Sequence, residues 1–253
     1  MSQDTSNQFT AISLFSGAGG DTLGMKNAGI NVVGYVEFDK HAIKTHKNNF
    51  PECKLIGEDI TKIKDEKFEE YKGTDIIFGG FPCQSFSQGG KKKANDKRGF
   101  LYQEFVRAAR IINPKVIIGE NVQGLLSRKM EDGTLFIEKI IEEFTDIGYD
   151  MKYISYKKRI SPIHSCIIDL NDVSRTILCS YGRMPRLFVP IENAHGYYLR
   201  PYTVRELQMI QSFPSTFDFS GSYIQKVKQI GNAVPPEFIK HIASYIRDVL
   251  LYE

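Results

Sequence analysis

Short hydrophobic runs alternate with amphipathic stretches over the larger, N-terminal part of the chain. Consecutive apolar residues predict buried strands, at residues 10–16, 30–36, 55–56, 75–78 and 116–119. Apolar residues that recur at intervals of about three to four positions predict helices, at residues 21–27, 39–48, 99–112 and 135–147. Strands that alternate with helices in this way predict an α/β fold with a doubly wound, mostly parallel sheet.

The pattern weakens after about residue 160. Short β-like runs occur there, at residues 165–168, 176–179 and 187–189. Helical spacing returns at residues 204–211 and 236–250.

Residues that could bind a ligand or take part in catalysis follow the predicted strands of the N-terminal part. They are Phe15–Gly20, Glu37, Asp59, Gly80–Cys83 and Glu120. In an open parallel sheet, ligands bind outside the carboxyl ends of the strands. The sequence therefore predicts one site at that edge of the sheet.

The glycine-rich turn Phe15-Ser16-Gly17-Ala18-Gly19-Gly20 lies between a strand and a helix, and Glu37 ends the next strand. Glycines let a ligand approach the backbone closely, and an acidic residue about 20 positions on can hold ribose hydroxyls. The Gly-x-Gly-Gly spacing differs from the dinucleotide pattern, which favours a nucleoside cofactor without a pyrophosphate. Asp59 is placed either to contact the base or its exocyclic amine, or to cap the following helix.

Cys83 stands in the proline-containing turn Gly80-Phe81-Pro82-Cys83 at another strand end. A thiol in such a turn is a candidate nucleophile, although most free cysteines are small buried apolar residues. Glu120 at the next strand end is either a proton donor whose pKa is raised in a closed pocket, or a helix cap.

Composition narrows the class of protein only modestly. The 253 residues are 42% hydrophobic, and 33 basic against 30 acidic residues give a net charge of +3. The polar N-terminus and the lack of a long apolar run predict an intracellular protein without a membrane span. The four cysteines are far apart and the five histidines lack metal-ligand spacing, so we expect no metal site and histidines at surface or cap positions. The basic cluster at residues 91–98 suits either phosphate contact or a solvated face.

The motifs occur in an order that resembles the DNA (cytosine-5) methyltransferases. They are Phe15-Ser-Gly-Ala-Gly-Gly20, Glu37, Gly57-Glu-Asp-Ile60, Gly80-Phe-Pro-Cys-Gln-Ser85, Glu120-Asn-Val122, Arg200-Pro-Tyr-Thr-Val-Arg-Glu206, Gln211-Ser-Phe-Pro214 and Gln229-Ile-Gly-Asn-Ala-Val-Pro-Pro236. The resemblance implies a Rossmann-like methyltransferase that uses S-adenosylmethionine and leaves S-adenosylhomocysteine. It also implies double-stranded DNA as the partner, with a flipped-out cytosine attacked at C6 by Cys83 while Glu120 holds and protonates N3.

The same resemblance implies a cofactor pocket. Phe15 would stack on the adenine, Glu37 would bind the ribose hydroxyls, and Asp59 and Ile60 would contact the adenine. The remaining predicted cofactor residues are Ser16, Gly17, Ala18, Gly19, Gly20, Phe38, Gly80, Pro82, Asn232 and Ala233. The C-terminal motif would then return to the large domain, which would comprise residues 1–156 and 226–253.

The chain departs from the family pattern near residues 157–161, where a Gln-x-Arg-x-Arg element is expected. Residues 157–225 then form a reduced target-recognition domain. The leading hypothesis is a restriction-modification DNA methyltransferase, in the cytoplasm and at the nucleoid of a prokaryote, with a cognate endonuclease as a further partner. The alternatives are a catalytically impaired chain that depends on a second subunit for recognition, and an RNA cytosine-5 methyltransferase.

Overall fold

A computed structural model describes residues 8–82, 101–130, 132–152, 166–167, 177–183, 185 and 187–251. Its centre is a five-stranded, wholly parallel sheet in the order β3-β2-β1-β4-β5. The strands are β1 Thr10–Leu14, β2 Asn31–Val36, β3 Lys54–Gly57, β4 Ile76–Gly79 and β5 Val116–Gly119. The order reverses between β1 and β4, as in doubly wound folds. The predicted fold class is therefore confirmed.

Helices cover both faces of this sheet. They are α1 Gly20–Asn27, α2 Lys40–Asn49, α3 Asp65–Glu69, α4 Leu101–Ile112, α5 Phe136–Thr145, α6 Val204–Ile210, α7 Tyr223–Asn232 and α8 Pro236–Tyr245. The helix continues beyond α8 with wider π-type turns, Ile246–Leu251.

Neighbouring residues of a strand face opposite cores. In β1, Ala11 packs in the core that includes α1 and α8, whereas Ile12 packs in the core that includes α4 and α5. In β4, Ile76 and Ile77 divide in the same way. A strand buried on both faces has a continuous apolar sequence rather than an alternating one. This explains why the strand prediction from unbroken apolar runs succeeded.

Helix α8 packs directly on helix α1, although the two are far apart in sequence. A Cβ atom at Gly24 would lie 2.5 Å from Cβ of Ile239 and 2.6 Å from the Pro236 carbonyl oxygen. The contact therefore depends on the missing side chain at Gly24. The C-terminal segment thus adjoins the first strand–turn–helix unit, while the domain boundaries given above stay a prediction.

A second, three-stranded sheet has the order β6-β7-β8, from β6 Cys166–Ile167, β7 Leu187–Asn193 and β8 Gly196–Pro201. Strands β7 and β8 are antiparallel and form the β7–β8 ribbon. Its side chains Tyr197, Tyr198 and Leu199 are exposed. The sequence did not predict β8 or α7. A strand was expected at 176–179, but the described residues 177 and 178 lie outside any strand and a turn begins at 179.

His46 corrects the expectation that the histidines lie at the surface. Its ring is fully buried in α2, stacks on Tyr35 at 3.6 Å between centroids, and has Nε2 3.0 Å from the Thr22 hydroxyl. Burial lowers the pKa of His46 to about 3, so the ring is neutral. No helix in the described part of the chain combines the length and apolar character that crossing a membrane requires.

Candidate active site

The five parallel strands end on a single row. Leu14 pairs with Val36 on one side and Gly79 on the other, Val36 pairs with Gly57, and Gly79 pairs with Gly119. The residue that follows each strand therefore lies at the same edge of the sheet. These residues, called the strand-end row below, are Phe15, Glu37, Glu58, Gly80 and Glu120. Register, rather than proximity in sequence, brings the predicted site residues to this edge.

The turn after β1 has an unusual backbone. Phe15, Gly17 and Gly19 have positive φ angles of 58°, 56° and 88°. Glycine adopts this region freely, whereas a phenylalanine there is strained. Strain of this kind persists where the surrounding structure holds it, and it is concentrated at ligand sites.

Glu37 ties the end of β2 to this turn. Its carboxylate accepts backbone N–H bonds from Gly17 and Asp39, each at 2.7 Å. Burial raises the pKa of Glu37, and the two backbone donors oppose that rise. The neighbouring Phe38 side chain is 74% exposed. An acidic group and an aromatic ring therefore stand together at the β2 end.

Ser16 and Gly17 leave a hydroxyl group without a partner and open space in the turn. The buried Ser16 hydroxyl has no hydrogen-bond partner among the described residues. No described atom lies within 4 Å of a Cβ atom built on Gly17. A buried hydroxyl without a partner costs free energy, which a polar ligand atom can recover.

Asp59 caps the short 3₁₀ turn Ile60–Lys62. Its carboxylate accepts the Thr61 backbone N–H at 3.1 Å and the Thr61 hydroxyl at 2.7 Å. The Thr61 hydroxyl bond, with Lys62 nearby, lowers the pKa of Asp59, so the group is ionised. The capping interpretation is thus confirmed, and the contact with a base stays a prediction. Ile60 is buried.

The ends of β4 and β5 are joined by Glu120 and Asn121. The Glu120 backbone N–H donates to the Gly79 carbonyl at 3.0 Å, and the Asn121 side-chain amide donates to the Phe81 carbonyl at 2.8 Å. A Cβ atom on Gly80 would lie 3.3 Å from Oε2 of Glu120, so the carboxyl group faces this glycine. Burial raises the pKa of Glu120. This carboxyl group is therefore more easily protonated than an exposed one.

Two predicted features lie outside the described residues. Cys83 follows Pro82, the last described residue of the turn after β4, and the basic cluster at residues 91–98 belongs to the same gap. Asn121 fixes the backbone at Phe81, two positions before Cys83. The position of the thiol therefore stays a prediction from the sequence.

The C-terminal motif lies against the glycine-rich turn. A Cβ atom on Gly20 would lie 2.2 Å from the Val234 carbonyl oxygen, so only glycine permits this approach. The Gln211 side chain donates to the Ala233 carbonyl at 2.6 Å. Asn232 is exposed beside these residues at the end of α7.

Sequence reasoning missed the polar contacts that hold helix α7 to helix α2. The buried Thr45 hydroxyl donates to the Gln229 side-chain oxygen at 2.6 Å, and Lys228 pairs with Asp39 at 2.7 Å. The sequence gives no local signal for these contacts, because the partners are far apart in the chain.

Sequence reasoning also missed Asp21, which is buried beneath the turn. It accepts a hydrogen bond from Ser13, and burial raises the pKa of Asp21 to about 6. A hint was available, since Ser13 is a polar residue inside an otherwise apolar strand.

Comparisons with known proteins agree with this arrangement. A sequence model described as C-5 cytosine-specific DNA methylase matches residues 9–160 and 169–248. The type II methyltransferase M.Eco47II of Escherichia coli is 30% identical over 331 aligned positions, which cover 91% of this chain and 77% of that protein. M1.HphI of Haemophilus parahaemolyticus is 28% identical over 329 positions, with coverages of 94% and 86%.

Both alignments are longer than the chain itself, so these relatives carry additional residues inside the aligned region. The family match is interrupted at residues 161–168, next to the expected Gln-x-Arg-x-Arg position. Among solved structures, the Dnmt2 methyltransferase of S. pombe superimposes with a TM-score of 0.69 at 15% identity, covering 96% of this chain and all of that one. The Entamoeba histolytica methyltransferase EhMeth gives the same TM-score at 16% identity, with coverages of 96% and 99%. These two likenesses concern the fold.

Proposed function

The chain belongs to the family of C-5 cytosine-specific DNA methylases, and we propose that it methylates C5 of a cytosine in double-stranded DNA. One observation carries the proposal further than family membership. The strand-end row puts the half-buried Glu120 carboxyl against Gly80, beside the point where the strand order reverses and next to the glycine-rich turn. A cofactor at the turn and a base at Glu120 would therefore be neighbours.

The turn fits S-adenosylmethionine. Ser16 offers a buried hydroxyl without a described partner, and Gly17 offers open space. Glu37 would hold the ribose hydroxyls, Phe15 and Phe38 would contact the adenine, and Asn232 would close the pocket. When bound, S-adenosylmethionine supplies an electrophilic methyl group on a sulfonium sulfur.

The protein's own groups would activate the cytosine. We assign Glu120 to N3, where a carboxyl group with a raised pKa donates a proton as negative charge develops on the ring. The Cys83 thiolate would add to C6, which makes C5 nucleophilic. C5 would then accept the methyl group with cleavage of the sulfonium carbon–sulfur bond, which would leave S-adenosylhomocysteine. Loss of the C5 proton to a base, return of the N3 proton to the Glu120 carboxylate and cleavage of the C6–sulfur bond would release 5-methylcytosine and restore Cys83.

Target recognition is the step for which this chain supplies the fewest residues. Recognition of a duplex sequence requires side chains that reach base edges. The relatives carry additional residues inside the aligned region. We therefore keep a second candidate, in which this chain binds the cofactor and depends on a second subunit for recognition. A DNA substrate would place the enzyme at the nucleoid in the cytoplasm, alongside a cognate endonuclease.

The test is transfer of labelled methyl groups from S-adenosylmethionine to mixed-sequence duplex DNA. We expect label in cytosine, a loss on the order of a thousandfold or more in Cys83→Ala, and a loss of roughly a hundredfold or more in Glu120→Gln. Cys179→Ala is the matched control, because Cys179 is exposed and is not among the predicted site residues.

Cofactor binding is measured separately by calorimetry. Binding without transfer to DNA would favour the candidate that depends on a second subunit, and transfer to RNA alone would replace the DNA proposal. Absence of binding to the folded wild-type chain would overturn the cofactor assignment.

A further inference from the structure

Arg107 of helix α4 fastens the turn that contains Asp59 and Ile60. One terminal nitrogen of its guanidinium group donates to the carbonyl oxygens of Ile60 at 3.0 Å and Ile63 at 3.1 Å. These carbonyls lie at the two ends of the 3₁₀ turn Ile60–Lys62. A single side chain therefore fixes both the position and the curvature of the turn.

The other contacts of Arg107 orient its guanidinium plane. Nε donates to Glu104 at 2.8 Å, the second terminal nitrogen pairs with Asp65, and the group lies 5.1 Å from the centre of the buried Phe68 ring. The side chain is only 25% exposed. A planar fork with donors in several directions can satisfy these partners together, which a lysine ammonium cannot do.

The placement of Arg107 relates two parts of the candidate site. Helix α4 begins at Leu101, shortly after the segment that contains Cys83, and its Arg107 reaches the turn after β3. Asp59, which caps that turn, is ionised and is predicted to face the exocyclic amine of the cofactor base. Protein acceptors take up each nitrogen of the guanidinium group, so we expect its effect on the cofactor to pass through the turn.

We propose that Arg107 is a positioning residue that sets the preference of the site for a 6-aminopurine. This inference rests on the proposed function, because it assumes that S-adenosylmethionine occupies the turn after β1. Arg107 holds the turn by the Ile60 and Ile63 carbonyls, and the Asp59 carboxylate, which caps this turn, accepts a hydrogen bond from the 6-amino group. A purine with a 6-oxo group presents an acceptor there instead, which the carboxylate repels.

The variant that tests the inference is Arg107→Lys, because lysine keeps the positive charge but lacks the planar guanidinium group and its several donors. The matched control is Arg110→Lys on an exposed position of the same helix. Calorimetry measures affinity for S-adenosylhomocysteine and for S-inosylhomocysteine, its 6-oxo analogue. We expect Arg107→Lys to weaken S-adenosylhomocysteine binding roughly tenfold, or about 1.4 kcal/mol, and to weaken the 6-oxo analogue less than about twofold.

Kinetics give an independent measure of the same role. We expect KM for S-adenosylmethionine to rise in Arg107→Lys while kcat at saturating cofactor stays within about twofold of wild type. The control variant should keep wild-type affinities, KM and melting temperature.

Two results would overturn the inference. An equal loss of affinity for both ligands would assign Arg107 a general structural role. Unchanged affinity for both would show that the turn does not need the guanidinium group. A wild-type chain that binds neither ligand would instead remove the proposed function, and this inference with it.

Discussion

The parallel sheet and the β7–β8 ribbon differ in how they use their side chains. Every residue of β4 is buried, and so are the last four of β1. In β8, by contrast, Tyr197, Tyr198 and Leu199 are 82%, 48% and 54% exposed. Strands β1 and β4 contribute side chains to the cores on both faces of the sheet, whereas β8 contributes no buried side chain to either core.

This difference suits the two regions to different tasks. The sheet region holds its functional groups by packing and register, which suits a site of fixed geometry. Strand β8 of the ribbon presents aromatic side chains without packing them, so its exposed positions can change at little cost in stability. Substitutions in the two regions therefore test the comparison directly.

The largest effect is expected for Phe105→Ala in the sheet region. Phe105 is fully buried, contacts Phe81 and Phe144, and lies close to Gly79 and Gly119, the last residues of β4 and β5. Removing the ring leaves a cavity under the strand-end row, and we expect a loss of about 3–5 kcal/mol in the free energy of unfolding. Urea unfolding measures it.

A loss below about 1 kcal/mol for Phe105→Ala would show that the sheet region tolerates cavities as well as the ribbon does. Phe105→Leu, which fills most of the space, should recover much of the stability. Recovery by leucine distinguishes a packing effect from loss of the aromatic ring contacts.

The second prediction concerns pH and Asp21. Because its pKa is about 6 in the folded protein and about 4 when unfolded, the folded state retains a proton that the unfolded state releases between these values. The free energy of unfolding should therefore fall as pH rises from about 4 to about 6, by at most about 3 kcal/mol. Below pH of about 4 this contribution is constant.

Asp21→Asn removes that titration, so the wild type should lose stability relative to it across this pH range. Unfolding curves at several pH values give the two slopes. Ser13→Ala removes the hydrogen bond that lowers the pKa of Asp21, and it should extend the fall to higher pH. Parallel slopes for wild type and Asp21→Asn would contradict the assignment.

The smallest effect is expected for Tyr197→Ser in the ribbon. The side chain is 82% exposed, so its removal should change the free energy of unfolding by less than about 0.5 kcal/mol. The same urea titration measures it beside Phe105→Ala. A loss above about 2 kcal/mol would mean that the tyrosine packs in solution, and the contrast between the two regions would disappear.

Sequence patterns predicted the parallel sheet and the start of β7, and they missed β8. Unbroken apolar runs such as Ile76-Ile77-Phe78 identify strands that are covered on both faces. Strand β8, Gly-Tyr-Tyr-Leu-Arg-Pro, also has three apolar residues in a row, but glycine, arginine and proline flank them and the three side chains are exposed. Its pairing with β7 depends on the intervening turn rather than on a pattern within the strand.

The residues of the candidate site also fall into a group that the sequence predicted and a group that it did not. Phe15, Glu37 and Glu120 were predictable because each directly follows a strand, and parallel register brings strand ends together. The contacts of Arg107 and Gln229 were not, because their partners lie in segments that only the folded chain brings near. The role of Cys83 stays a prediction, as do the cofactor contacts.

The packing of α8 on α1 has a consequence for biosynthesis. Translation at ~5–20 residues per second separates the appearance of the two helices by roughly 10 to 40 s. Throughout that interval Ile239, which packs against α1 at Gly24 in the folded protein, has not yet been synthesised. The N-terminal unit therefore cannot complete this contact until α8 has been made.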